Sequence, residues 1–231
     1  MKTPFQIFGN EHLLAIFGSV LTLILLVFYA KNKQNAVNRR RDIWIFTVVF
    51  LLIEIALITS KIVAKEWSLR YNLPLHLCDF SAITIIFALH TRSRMAFELG
   101  YFWGFVGGIM AILTPNLQFI DWYFVPFFIW HLFLIAGPIY QLFVDNFDIA
   151  YKNIYKTAFI TILLALAMHV FNLWLGSNYM FVNEKIASFD ALGLPNYPMY
   201  LPYLGLIMLV MFHLVWGINK GLGKVKLRIK N

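Results

Sequence analysis

The chain has 231 residues, 61% of them hydrophobic, 18% aromatic and only 13% charged. Globular domains average about 25% charged and about 45–50% apolar residues, so both an ordinary soluble domain and a disordered chain are excluded. The single cysteine, Cys78, excludes an intrachain disulfide and a Cys-based zinc site. The net charge of +8 is spread over loops without interleaved aromatics, which excludes a nucleic-acid surface.

A membrane-spanning helix needs about 20 mostly apolar residues. In chain order the stretches 12–30, 43–64, 73–90, 97–114, 122–144, 154–175 and 200–219 meet or approach that requirement. The third and fourth are short and carry polar atoms, which marks them as tilted or as lining something polar. Helices are expected throughout, because hydrocarbon leaves backbone groups no partner outside their own segment, and no barrel-type alternation is present. The expected fold is an all-α integral membrane protein, a seven-transmembrane-helix bundle forming one polytopic domain over residues 1–231. The first span lacks a small-x-small cleavage site and is read as retained.

Lys31, Lys33, Arg39, Arg40 and Arg41 fill the first loop, Arg92 and Arg94 the third, and Lys152 and Lys156 the fifth. Lys220, Lys224, Lys226, Arg228 and Lys230 fill the tail, while the alternating segments hold only Lys2, Lys65, Arg70 and Lys185. This bias predicts an N-terminus outside and a C-terminus in the cytoplasm of a cell membrane, with anionic head groups near the basic loops. The 176–199 loop holds Asn178, Asn183, Glu184, Lys185, Asp190, Pro195 and Pro198. It also holds Tyr179, Met180, Phe181 and Phe189, and is expected to fold back as a lid.

Ionisable groups inside spans are costly and are functional candidates by default. His12, beside Glu11, opens the first span. His76, Cys78 and Asp79 lie in the first turns of the third, and Thr114 and Asn116 end the fourth. His131 sits in the outer half of the fifth, and His169 and Asn172 end the sixth. At 1.5 Å per residue these groups fall within roughly half a bilayer of one another in depth, so one polar cavity open toward the outer leaflet is expected. Glu54, Glu98 and His213 lie deeper or on the inner side.

His76 and Asp79 are three residues apart and share a helix face, so Asp79 could set the His76 tautomer. Cys78 lies about 200° around the helix from His76, which makes a direct dyad poor. A Cys78 nucleophile would need a base from another span, such as His131 or His169, with Asn172 orienting the latter. Acyl transfer also needs donors for the developing oxyanion, which Asn116 or Asn172 could supply. The expected catalytic set is His76, Cys78, Asp79, His131 and His169, with His12, Asn116, Asn172 and Trp130 as substrate contacts. Each has a structural reading too: a helix-packing hydrogen bond for His76 and Asp79, a small buried hydrophobe for Cys78, a carbonyl-bonded ring for His131 and His169, and an interfacial position for His12. Gly100, Gly104, Gly107, Gly108 and Ala111 form a small-residue packing face, and Pro126 and Gly137-Pro138 mark bends in the fifth span.

Several segments, in order, resemble the YwaF-like family of bacterial integral membrane proteins. They are Asn10-Glu11-His12, Leu73-Pro74-Leu75-His76-Leu77-Cys78-Asp79-Phe80-Ser81-Ala82, Phe102-Trp103-Gly104 leading to Leu113-Thr114-Pro115-Asn116, His131 ahead of Gly137-Pro138-Ile139-Tyr140, and Asn178-Tyr179-Met180. That family is distantly similar to eukaryotic transmembrane ether-phospholipid acyltransferases, which use a cysteine nucleophile and a histidine. The resemblance places the histidine on His131. It places the cysteine on Leu75, which cannot be a nucleophile, so either Cys78 substitutes or the chain lacks that chemistry.

Two functions are expected on this basis. One is a lipid acyltransferase or hydrolase acting on the acyl groups of membrane phospholipids, with no cofactor. The other is a ligand-binding or transport protein whose His and Asp residues bind a ligand or relay protons without covalent chemistry. A metal site on His76, Asp79, His131 and His169 is disfavoured, because none has i,i+4 histidine pairing.

Overall fold

The computed structural model describes residues 3–32, 36–185 and 193–230. Lys2, Lys33, Phe189 and Asp190 lie outside them, as do the side chains of Lys31, Lys224, Lys226, Arg228 and Lys230. Among the described residues there are seven α-helices: α1 (Asn10–Asn32), α2 (Ala36–Val63), α3 (Leu77–Thr91), α4 (Arg94–Leu113), α5 (Phe124–Val144), α6 (Asn153–Leu175) and α7 (Tyr200–Lys230). Six are long and apolar enough to cross a membrane. The exception is α3, whose 15 residues reach only about 22 Å against a hydrocarbon core of about 30 Å. The expected span 73–90 is therefore cut short. Residues 73–76 form a turn in which Leu75 N–H reaches back to the Leu73 carbonyl, and His76 is extended, so the helix starts at Leu77.

Helices α4 and α5 are buried, whereas α1, α2, α6 and α7 expose most of their apolar side chains around them. α3 packs on α4 and α5, α1 on α5, and α7 on α4 and α6. The glycine face of α4 makes this close packing feasible. A Cβ at Gly104 would run into the Leu134 carbonyl of α5, and one at Gly108 would stand 2.8 Å from the His131 carbonyl. Pro138 bears on the first contact. It sits inside α5 and has no N–H to give the carbonyl four residues back, so the Leu134 oxygen is free to turn toward Gly104. Pro126 lies in the first turn of α5, where its missing N–H leaves no gap.

The two ends of the bundle are closed by different means. At the end where α1 begins, here the N-face, Thr3–Pro4 pairs antiparallel with Phe119–Ile120. His12, fully buried, locks this corner. Its Nδ1 accepts from Phe8 N–H at 2.9 Å, so Nε2 carries the proton and donates to the Ile112 carbonyl at 2.8 Å.

At the opposite, basic face, the buried Asp145 carboxylate takes Arg39 through Nε at 2.6 Å and Nη2 at 2.9 Å, and Arg92 at 3.2 Å. Arg39 also donates to the Leu89 carbonyl at 2.8 Å. This ties the start of α2 to the ends of α3 and α5. Asp145→Ala removes the carboxylate that both arginines share and leaves Arg39, 13% exposed, without its ion-pair partner among the described residues. A cost of about 3 kcal/mol is expected, visible as a melting temperature lower by several degrees in detergent; an unchanged melting curve would contradict the role given to this pair.

Candidate functional site

The site is assembled from the start of α3 outward. The Asp79 carboxylate, three residues into the helix, turns back to accept the His76 backbone N–H at 2.8 Å and so satisfies one of the helix's free donors. This corrects the expected role of Asp79 as a tautomer lock, since it holds the His76 backbone rather than the ring. The ring itself is held by the loop after α6. Met180 N–H donates to His76 Nδ1 at 3.3 Å, which puts the ring proton on Nε2. Tyr179 packs edge-on against the ring at 5.3 Å and Phe181 at 4.8 Å.

That loop is a folded cap over residues 176–185. Met180 and Phe181 adopt left-handed φ values of 56° and 55°, rare for such side chains, and the surrounding bonds impose them. Asn172, 1% exposed, is the anchor. Its Oδ1 accepts from Ser177 Oγ and Tyr179 N–H, each at 2.8 Å, and its Nδ2 donates to the Tyr179 carbonyl and Asn183 Oδ1, each at 2.9 Å. The Tyr179 hydroxyl donates to the Leu69 carbonyl at 2.6 Å and accepts from Leu73 N–H at 2.9 Å. Burial raises its pKa, which keeps the hydroxyl a donor. Tyr200 closes the cap through the Phe181 carbonyl at 2.7 Å.

The expected partnership of Asn172 with the His169 ring is therefore replaced. The cap uses every amide atom of Asn172, and His169 contributes its carbonyl to Asn183 Nδ2 at 3.4 Å. Asn172→Ala is expected to free the cap, with protease cleavage near Tyr179–Phe181 at least tenfold faster than in the parent; equal cleavage rates would contradict the anchor.

Below the cap lies a layer shared by four helices. On α5, His131 Nδ1 donates to the Phe127 carbonyl at 2.9 Å, which leaves Nε2 unprotonated and able to accept a proton. Its ring packs on Phe127 at 4.3 Å and Trp130 at 4.9 Å. Trp130 donates through Nε1 to Glu54 Oε2 of α2 at 2.8 Å. On α3, the Cys78 thiol abuts α4, where a Cβ on Gly107 would stand 3.0 Å from Sγ. Gly108, the next residue, faces the His131 backbone carbonyl, so Cys78 and the backbone of His131 meet adjacent residues of α4.

Asp79 lies in the field of Glu54 and Lys61, His76 in that of Lys61, and Tyr123 in that of Glu54 and Asp79. His76, Cys78 and Asp79 thus share the start of α3 near Lys61 and Glu54, and Glu54 meets Trp130, on which the His131 ring packs. The structure keeps His12 in the N-face clamp with both ring nitrogens bonded to backbone, and leaves Asn116 exposed in the turn after α4. Helix α2, rather than α6, supplies the charges. Glu54, expected deeper or on the inner side, lies beside Trp130. The signal for it was spacing, since Glu54 and Lys61 are seven residues apart and fall on one helix face.

Six helices long and apolar enough to cross a membrane, packed around α4 and α5, define a multi-pass α-helical membrane protein. The chain belongs to the TMEM164 family, whose profile matches residues 7–216. This overturns the YwaF-like assignment that the Pro74-Leu75-His76-Leu77-Cys78-Asp79 segment and its companions suggested, because the matched stretch takes in all of those residues. A protein of Treponema pallidum (strain Nichols) described as uncharacterized is 28% identical over 139 residues, 59% of this chain and 57% of that protein. The chain thus matches just over half the length of that relative. No solved structure matches.

Proposed function

We propose that the chain acts on the acyl groups of membrane phospholipids, by transfer or hydrolysis, at the layer formed by Cys78 and His131. The observation that supports this reading is that the Cys78 thiol and the His131 backbone carbonyl pack on adjacent residues of α4, Gly107 and Gly108, with His131 Nδ1 committed to the Phe127 carbonyl and Nε2 left as a base. In the reaction, Cys78 Sγ adds to the ester carbonyl carbon while its proton passes to His131 Nε2. The C–O bond breaks, the lysolipid hydroxyl leaves with that proton, and the acyl group stays on sulfur as a thioester. An acceptor hydroxyl, or water, then attacks the thioester and returns a proton through His131 to the thiol.

Lys61 suits the phosphate of the lipid head group, since it carries a positive charge near His76 and Asp79 and has no ion-pair partner among the described residues. Apolar side chains such as Ile85, Leu134 and Ile135 fill the bundle beneath the layer, which favours a site open to lipid over a polar path through the molecule. The bias of basic residues toward the opposite face supports an N-face on the outer side of the cell membrane. The test is reconstitution into vesicles containing a phospholipid with a labelled acyl chain and a lysophospholipid acceptor. Movement of the label to the acceptor or to free fatty acid supports the reading, and a label that stays in place over many hours refutes it.

A further inference from the structure

A second built cluster lies at the basic face, remote from the layer of Cys78 and His131. A cavity of about 540 Å³ opens between α1, α2 and α5, within the size range of small-molecule pockets. Its walls are apolar and include Leu26, Phe46, Val49 and Phe133. Its polar end is the Asp42 carboxylate, which accepts from the Tyr29 hydroxyl at 2.9 Å, the Tyr140 hydroxyl at 3.2 Å and Arg41 Nη2 at 3.1 Å. Arg41 Nη2 also donates to the Tyr29 oxygen at 2.9 Å, and Nε to Asp42 at 3.3 Å.

The carboxylate is therefore satisfied, and its work is to aim the guanidinium. Arg41 keeps 56% of its side chain exposed, and among the described residues its two Nη1 donors meet no protein acceptor. Asp145 is already shared by Arg39 and Arg92, and Asp42 by Arg41 and two tyrosine hydroxyls, so neither carboxylate neutralises the arginines around it in full. An oriented guanidinium with free paired donors, at the mouth of an apolar crevice on a bundle surface, complements a phosphate joined to an acyl chain.

We propose that this crevice binds an anionic glycerophospholipid of the leaflet at the basic face, with its phosphate on Arg41 and one acyl chain along Leu26, Phe46, Val49 and Phe133. Tyr29 and Asp42 act as positioning residues for Arg41. The site is independent of the chemistry proposed at the opposite face.

The test is native mass spectrometry of the full chain released from detergent after titration with phosphatidylglycerol, phosphatidylcholine or a free fatty acid. The expected result is one tightly retained phosphatidylglycerol, held at least tenfold better than phosphatidylcholine. Arg41→Gln should weaken it about tenfold, the size of one charge-assisted pair. Val49→Trp, a change at a lipid-facing wall position that leaves the polar cluster intact, should block the chain and also release it. Equal retention of both phospholipids or of the fatty acid by the parent protein would overturn the proposal. So would parent-like retention by a folded Val49→Trp variant.

Discussion

Cys78→Ser and His131→Gln will each lower acyl release from a labelled phospholipid by a factor of about 10²–10⁴, with the protein still folded. The reason lies in what each change spares. Serine keeps nearly the same volume against Gly107 but replaces a polarizable thiol with a hydroxyl that is a far weaker nucleophile beside the same base. Glutamine at 131 keeps a donor for the Phe127 carbonyl and fills much of the space beside Trp130, yet has no nitrogen that can take a proton. Both substitutions therefore remove chemistry with little change in packing. The double variant should be no slower than the worse of the two, because a nucleophile and its base act as one unit. His169→Gln should leave the rate within about twofold, since that ring has no part in the layer. A His169 variant as inactive as the His131 variant would move the base to α6.

The largest effect on stability is expected at Gly104. Its Cα lies so close to the Leu134 carbonyl that a methyl group cannot enter without separating α4 from α5, and what stands in the way is backbone rather than a side chain that could swing aside. Gly104→Ala should cost about 1–3 kcal/mol, the range for an added methyl in a filled core, and Gly104→Leu should leave no folded protein in detergent extracts. Gly18→Ala, where nothing lies within 4 Å, serves as the control and should be silent. Size-exclusion profiles and thermal melts of the three variants decide the matter. A folded Gly104→Leu protein would mean that the α4–α5 contact is looser than described.

Composition and hydropathy were enough to read the helical bundle, since a chain so poor in charge has few other solutions. The small-residue face of α4 was equally legible, because Gly100, Gly104 and Gly108 at a spacing of four leave one side of a helix bare. What spacing could not convey was where hydrogen bonds would go. His76 and Asp79 share a face, but the helix begins one residue after His76, so the carboxylate meets the backbone donor before it can reach the ring. Asn172 looked like a partner for His169, yet a loop of ten residues folded back and used all of its amide. His12 stood at the right depth for a cavity and instead ties the turn at Phe8 to the last turn of α4 at Ile112.

Glu54 shows the converse. Depth counted along one helix kept it out of the candidate set, whereas the Trp130 indole of α5 meets its carboxylate. Tertiary partners of this kind are not written into the periodicity of a single segment. The Pro-x-His-x-Cys-Asp segment was the most specific stretch of the chain and supplies part of the proposed site, although the family it suggested was not the one that matches.

If Cys78 and His131 form one reactive layer, an intact-mass measurement will show it. The purified full chain, incubated with a phospholipid of defined acyl length and quenched in acid, should gain the mass of one acyl group. Peptide mapping should place that group on the peptide bearing Cys78, hydroxylamine should remove it, and the His131→Gln protein should fail to form it. A protein that turns over labelled lipid with no adduct on Cys78, or that forms the adduct equally well without His131, would contradict the account.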